Sequence, residues 1–488
     1  MFFYPPNLME YYNQLIENQA KGLLNDRQLI QTEINFWKIS PKRQEQIDGD
    51  KYYCGYHDIL KKRREAIGAG GEIIPIYNLP NNRIVDNQYK KIVDQKTNFL
   101  VGLSPLITAE NQKYDDLLQN YLDDDFFRLL KMICIDCLNC GIAWVYPYYD
   151  EDGEFRLKRF APYEVLPFWE DEEHTKLAAV ARLYSIWVYQ KGTKKLVEKV
   201  EVYKPEGIEY YEFYNGQLIE DVKKPATSYY NIDNKAYNWG KIPLTPFKYN
   251  YLEIPLIRDL KLLQDALNKT LSDLQDDLQE DARNTILVLK NYDGQNLGEF
   301  RQNLATYGAI KVRGDGDVKT LQVNFNPENY KTNIEMIKKE LISVGKGYDA
   351  ADLRYGNAPN EMNIKSIFND INMDANAMEL EFRASIKKLL YFINMDLANK
   401  GKGNFFDEEV DIMFNKDQIV NESEIINDIK NSVGIISNQT LIKNHPYVND
   451  YQEEIENMER EKEKDNFNDN FFNSQAQNWR LTGSFLGF

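Results

Sequence analysis

The sequence predicts an α+β protein of several domains. Three observations lead there. Residues 141–250 alternate apolar and polar side chains with the period of a strand. Long amphipathic segments lie on both sides of that block. A small strand–helix–strand insert separates two of the longest of them. At 488 residues the chain exceeds one compact domain, and roughly two to four are expected.

Composition narrows the function classes. With 76 acidic and 59 basic side chains the formal charge is −17, so the chain repels phosphate on average and tight duplex binding through counterion release is disfavoured. Aromatic content of 13%, with 33 tyrosines, argues for a packed core. Four cysteines do not make a disulfide framework. MFFYPPNLMEYY lacks a basic n-region and no stretch approaches a membrane-spanning apolar run, so a soluble, intracellular protein without an anchor is expected. Three scattered histidines are a poor inventory for zinc ligation or imidazole chemistry.

Residues 8–35 read as helix, and YYCGYHDILKKRRE (52–65) as an aromatic–glycine turn running into a basic helix. In LPNNRIVDNQYKKIVDQKTNFLVGLSP (79–105), Val85, Tyr89, Ile92 and Val93 recur at helical spacing. Asn81 or Asn82 serves as cap, and Gly102 and Pro105 as stop. Another amphipathic helix covers 114–140, broken near Asp123–Asp125. Its end, ICIDCLNCGIAW, holds Cys134, Cys137 and Cys140. Phe126, Leu130, Ile133 and Cys137 share one face, so the thiols read as small buried hydrophobes. A metal reading needs Cys54 from 80 residues upstream and lacks the proline of a ferredoxin run. No metal and no cofactor are expected.

Strands follow. A hairpin turns at Asp152-Gly153, and a meander turns at Pro205–Gly207 and Asn215-Gly216. The helix at 256–284 carries Leu256, Leu260, Leu263, Leu267, Leu271, Leu274 and Leu278 in a narrow seam about 43 Å long. Its opposite face, with Asp273, Asp276, Asp277 and Glu280, is expected to see water, so the seam needs a neighbour. TILVLK is a strand, and Asn296 and Glu299 cap a helix in NLGEFRQNLATY. AIKVR and VKTLQV are expected to pair across Gly314-Asp315-Gly316. Asn326-Pro327 opens a second long helix, and Gly345 and Gly347 end it. A polar loop (351–363) leads to a third helix from Ile364 to about Lys400. Its apolar side carries Ile367, Ile371, Met378, Phe382, Leu389 and Ile393 over about 55 Å. VDIMF is a short strand, Asn421 and Glu424 cap a helical C-terminal region, and 466–488 reads as a mobile tail.

No P-loop, dinucleotide fingerprint, HExxH, nucleophile elbow or EF-hand loop is present, and no catalytic residues are assigned. A carboxylate-dependent enzyme and an iron–sulfur protein remain the readings from a different class.

This order of parts resembles the portal proteins of tailed bacteriophages, in the branch common among long-tailed phages of Gram-positive bacteria. The words that carry the resemblance are YYCGYHDIL, NNRIVDNQYKKIVDQKTNFLVGLSP, CGIAWVYPYYDEDGEFRLKRFAPYEVLP, KIPLTPFKYNY with ALNKTLSDLQDDLQ, YGAIKV, DANAMELEF and VGIISNQTLIKNHPYVND, in order over about 50–455. The resemblance implies a portal fold: a wing at 1–255, stem helices at 256–284 and 325–350, and an α/β clip at 285–324. A tunnel loop at 351–363, a long kinked helix returning to the wing at 364–416, and a helical crown at 417–465 complete it. It further implies a ring, usually of twelve subunits, in the virion at one capsid vertex, assembled in the host cytoplasm. The ring docks the terminase large subunit, the head–tail adaptor, and major capsid and scaffold proteins. It passes double-stranded DNA without sequence specificity and has no membrane contact. Arg354, Asn357, Asn360 and Lys365 are the side chains expected to face DNA, and the leucine seam is expected to pack between subunits. Another virion connector component is the nearest alternative.

Overall fold

The computed structural model describes residues 26–67, 71–77, 79–190, 192–232, 235–281, 285–290, 317–322, 327–349, 361–415 and scattered positions between 426 and 460. The chain forms two compact units, Met1–Ala350 with Phe368–Asp417, and Ala351–Ile367 with Gln418–Phe488.

In the first unit, α1 (Asp26–Lys38) is followed by α2 (Pro41–Tyr53), whose cap Ser40 accepts from the Arg43 amide at 3.2 Å while Pro41 fills the first turn. The basic helix expected at 52–65 does not form. Gly55 turns the chain at φ 86°, and one 3-10 turn (Asp58–Lys61) leads into β1 (Glu65–Ile67), paired with β2 (Ile73–Pro75). Lys62 abandons the helical path to reach two aspartates, Asp273 and Asp276, at 2.7 and 2.9 Å. The next helix also starts later than expected. α3 spans Gln88–Val101, with Asn87 as its cap accepting from the Lys90 amide at 2.8 Å, and 79–87 run without helix.

After β3 (Leu106–Ala109) come α4 (Gln112–Gln119) and α5 (Asp124–Cys140), separated where the aspartate run predicts; the Asp123 carboxylate caps α5 through the Phe126 amide at 2.9 Å. α5 is the spine of the unit and buries Phe126, Leu130, Ile133, Cys134, Cys137 and Leu138. α2 crosses it so closely that a Cβ on Gly49 would lie 1.9 Å from the Asn139 carbonyl oxygen. Gly141 ends α5 at φ 80°, a left-handed cap that also lets the Glu253 carbonyl approach. The thiols of Cys137 and Cys140 donate to the carbonyls of Phe247 and Gln46, and burial pushes the Cys134 thiol up to about 12. They are core. Cys54 is the exposed thiol. A thiol-titrating reagent should therefore modify Cys54 rapidly in the native protein and reach Cys134, Cys137 and Cys140 only on unfolding. Rapid native reaction of a second thiol would contradict this packing.

The strand block forms two larger antiparallel sheets and one small two-stranded pair. β4 (Ile142–Tyr149) and β5 (Phe155–Phe160) make the expected hairpin. β6 (Val165–Trp169), β7 (Leu177–Gln190), β8 (Thr193–Lys204), β9 (Gly207–Tyr214) and β10 (Gln217–Glu220) form a five-stranded sheet in reverse order. β11 (Tyr230–Ile232) pairs with β12 (Lys235–Tyr237), and β13 (Thr245–Lys248) joins β4. One face of the large sheet is covered by Ile30, Ile34 and Trp37 of α1. Trp144, Phe160, Val180 and Tyr203 fill the space between the two sheets.

α6 (Ile257–Asp281) and α7 (Pro327–Val344) follow, with β14 (Thr285–Lys290) and β15 (Asp317–Gln322) paired antiparallel between them in sequence. The helix expected in NLGEFRQNLATY and the strand AIKVR lie outside the described residues. α8 (Glu361–Asn399) is one helix of 39 residues, about 58 Å long. β16 (Val410–Met413) pairs with β3. In the second unit, the described part includes α9 (Asn438–Lys443). The expected cap at Asn421 and Glu424 and the tail 466–488 lie outside the described residues.

Candidate functional site: the long-helix frame and its polar seam

The face of α6 that turns inward is half apolar and half polar. Leu256, just before the helix, and Leu260 and Leu267 on it are buried within the subunit. Beside them Gln264, Asn268, Ser272 and Asp276, one turn apart, are also buried. Each of these four accepts a hydrogen bond from the backbone of the segment 82–89. The Tyr89 amide donates to Gln264 Oε1 at 2.9 Å, Asp86 to Asn268 Oδ1 at 3.0 Å, Ile84 to Ser272 Oγ at 2.9 Å and Asn82 to Asp276 Oδ1 at 2.7 Å. Four residues of helix rise about 6 Å and two of extended chain about 6.6 Å, so the two repeats stay in step from Asn82 through Ile84 to Asp86; the last rung, Tyr89, is three residues on, in the first turn of α3. This ladder explains why 79–87 are not helical: amides that a helix would use internally are taken by α6.

The ladder is closed at its middle by His57. Its Nδ1 accepts from Asn268 Nδ2 at 2.7 Å and its Nε2 donates to the Tyr52 carbonyl at 3.0 Å, which is the neutral ring with hydrogen on Nε2. Burial lowers the His57 pKa in spite of the Tyr52 bond and the nearby Asp265 and Asp58 charges. At the far end Asp276 also holds Lys62. Burial raises its carboxyl, but Lys62 and the Asn82 donors outweigh that and hold it below the usual range.

α7 attaches to the same segment and to α6. Lys338 pairs with Asp86 at 2.7 Å, and the Tyr330 hydroxyl donates to Asp277 at 2.7 Å. Its end rests on α3, where Gly345 and Gly347 lie against Ile92 and Gln95. Lys346, at φ 50°, pairs with Asp374 of α8 at 2.9 Å. Asp374 also accepts from the buried Lys96 at 2.5 Å and from the Tyr249 hydroxyl at 2.8 Å. One carboxylate thus ties α3, α7, α8 and the segment before α6 together.

These placements correct part of the sequence reading. Leu256, Leu260 and Leu267 are covered by the subunit's own chain. Leu263, Leu271 and Leu274 are half-buried, and Leu278 is 49% exposed. Asp276 does not face water, because Lys62 and Asn82 enclose it. Asp273 and Asp277 are half-buried in the pairs with Lys62 and Tyr330. The side chains of Glu280 and Lys365, and Arg354, Asn357 and Asn360 altogether, lie outside the described residues. Missed in the sequence were Gln264, Asn268 and Ser272, which continue to Asp276 at a four-residue spacing directly beside the leucines. Lys96 and Asp374 were missed too, and nothing in their spacing links them.

The long helices also leave apolar side chains in water: Leu262 on α6 is 81% exposed, Met336 on α7 65% and Leu380 on α8 68%. Among the described residues, no helix is long and apolar enough to cross a membrane. Three long helices, each with an apolar side chain left in water, are thus held on a β-rich body.

The family described as "Phage portal protein, SPP1 Gp6-like" matches residues 40–467, and the chain belongs to it. A curated "Portal protein" of Bacillus phage SPP1 is 30% identical over 461 residues, covering 93% of this chain and 90% of the relative. A "Portal protein" of Clostridium phage phiCD119 is 26% identical over 436 residues, covering 84% and 91%. A chain in a structure titled "Neck of empty GTA particle computed with C6 symmetry" aligns at TM-score 0.37 and 12% identity, over 72% of this chain and 87% of that one. That likeness is too loose to bear on the fold.

Proposed function

We propose that copies of this chain close into a ring of twelve around a channel for double-stranded DNA at one capsid vertex, acting structurally with no catalysis of their own. The observation that carries this is the family match across 40–467, nearly the whole length of the frame described above. In that reading α6 and α7 are the stem, the β14–β15 pair belongs to the clip, and the β-rich body with α1–α5 is the wing. The segment 351–363, which runs into the first residues of α8, is the tunnel loop, with Arg354, Asn357 and Asn360 on it and Lys365 in α8 toward DNA, and 417–465 is the crown. The ring would dock the terminase large subunit during packaging, bind capsid and scaffold proteins, and later receive the head–tail adaptor. The net charge of −17 suits a channel, because a negative wall lets phosphate slide rather than bind.

Negative-stain imaging with native mass measurement tests the reading. Annular particles of about a dozen chains support it, and a persistent monomer at every concentration removes it. Leu278→Asp is a sharper probe, since half of that side chain is in water within the subunit. As a monomer the variant should lose only about 1 kcal/mol of stability, for the half of the leucine that the subunit covers. Its ring population should fall roughly tenfold at fixed protein concentration, because a carboxylate is then buried between helices. Unchanged assembly would remove Leu278 from the interface.

A further inference from the structure

β7 and β8 extend past the sheet. β9 pairs with β8 only as far as Glu198, and β6 with β7 only between Leu177 and Arg182. From Ile186–Val197 to Gln190–Thr193 the two strands, among the described residues, pair with each other alone. They form a ribbon about 16 Å long at 3.3 Å per residue. A two-stranded ribbon is marginal in water by itself, yet this one is apolar. Trp187 is 60% exposed, Tyr189 76%, and Leu196, directly opposite Trp187, 48%. The stretch IWVYQKGTKKLV also carries three lysines and no acid, in a chain whose net charge is −17. Lys194 lies over the Trp187 ring.

The same unit presents a face of the opposite sign. In the β3–β16 pair, Leu106 lies directly across from Met413 and Thr108 from Asp411, so the four share one face. Leu106 is 52% exposed and Met413 54%, with Leu103 beside them at 50%. Glu409, Asp411 and Glu110 are exposed around this apolar centre. Glu408 is held by Asn111, and Lys113 of α4 is turned over the Phe405 ring.

We propose that the β7–β8 ribbon of one subunit docks on the β3–β16 face of a second copy, with Trp187 and Leu196 against Leu106 and Met413 and with Lys194, on the same ribbon face, against Glu409 and Asp411. Both surfaces are uncovered within the subunit, so the contact lies between copies. Two different patches on one chain make a head-to-tail contact, the kind that closes rings. A polynucleotide would satisfy the lysines but offers no acidic apolar surface for the rest. The inference rests on the ring reading above.

The test uses the full chain with Cys54→Ser. Two reversals are made, Lys194→Glu, and Glu409→Lys with Asp411→Lys, and then all three together. All sites are exposed, so circular dichroism and thermal midpoints of the monomer should not move. Each reversal should lower the ring population roughly tenfold, and the combination should restore it. In parallel, Trp187→Cys combined with Met413→Cys, treated with a short bis-maleimide linker, should give a ladder of dimers and higher multimers under denaturing conditions. Rings that give no ladder, reversals that leave assembly unchanged, or a combination no better than either reversal each overturn the ribbon contact while leaving the ring intact. Loss of co-purified nucleic acid with rings unaffected would reassign the ribbon to nucleic acid. A wild-type chain that never leaves the monomer overturns the ring reading, and the ribbon contact with it.

Discussion

Asn268→Leu should destabilise the subunit by about 3–5 kcal/mol, although leucine nearly matches asparagine in volume. The side chain is fully buried and has three partners: it donates to His57 Nδ1 and accepts from the Asp86 amide and from Gln264 Nε2. Leucine leaves all three unmatched in the interior, at roughly 1–3 kcal/mol each before relaxation. Denaturant unfolding measures the loss, and a change below about 1 kcal/mol would mean that water enters the ladder freely. Asn268→Asp separates geometry from charge. It keeps an acceptor for Asp86 and Gln264 but sets a carboxylate against His57 Nδ1, which then favours imidazolium.

The pH dependence distinguishes the two states of the ring. In the native protein burial lowers the His57 pKa below 6.5. Its stabilising contribution is therefore complete above about pH 6.5, the unfolded value, and is lost as pH falls through the lowered folded one. Other groups titrate in the same window, since burial pushes Glu33 and Asp136 up to about 7. The readable quantity is thus the difference between the native protein and His57→Gln, which should shrink by up to about 1.4 kcal/mol per pH unit below 6.5. In Asn268→Asp the sign reverses: the folded pKa rises, and stability is gained on acidification and lost as pH rises through it.

The parts of the fold that were legible in the sequence are those with a local period. The β8–β10 meander has period two with glycine turns, and α6, α7 and α8 have period 3.6 over many turns, so pattern alone reaches them. The segment 79–87 misled for a physical reason. Its apolar spacing continues that of α3, but its amides are spent on α6, and no local signal reports a partner 180 residues away. Lys62 departed from the helix expected at 52–65 for the same reason, drawn to Asp273 and Asp276. The leucine seam was legible as a seam but not as to what covers it. Leu260 and Leu267 fall under the subunit's own chain, whereas at the far end of the helix Asn82 and Lys62 lie against Asp276 and leave Leu278 half in water. The ladder residues were half legible, since polar residues every fourth position beside a leucine stripe mark a second buried face. Lys96 and Asp374, 278 positions apart, leave no such trace.

Asp374→Ala should cost about 3–5 kcal/mol, because it leaves a buried ammonium without its counter-charge. Lys96 is 4% exposed and approaches Asp374 Oδ2 at 2.5 Å. Burial depresses the lysine and would raise the carboxyl. Lys96, Lys346 and the Tyr249 hydroxyl outweigh that and hold Asp374 below its ordinary range. The loss should be larger than for Lys96→Met, which removes the charge that needs compensation and leaves Asp374 its bonds to Lys346 and Tyr249. The pair Lys96→Met with Asp374→Leu should recover most of it, as apolar replacement of a buried ion pair does. If instead the double variant is as unstable as the sum of the singles, the pair is not coupled and the node is only a packing site. The consequence for function lies at the end of α7. Lys346 holds its left-handed turn by gripping Asp374, just before the segment read as the tunnel loop. Hydrogen exchange across 341–349 should therefore quicken in Asp374→Ala and stay near native in Lys96→Met, which tells release of the helix end apart from general loosening of the core.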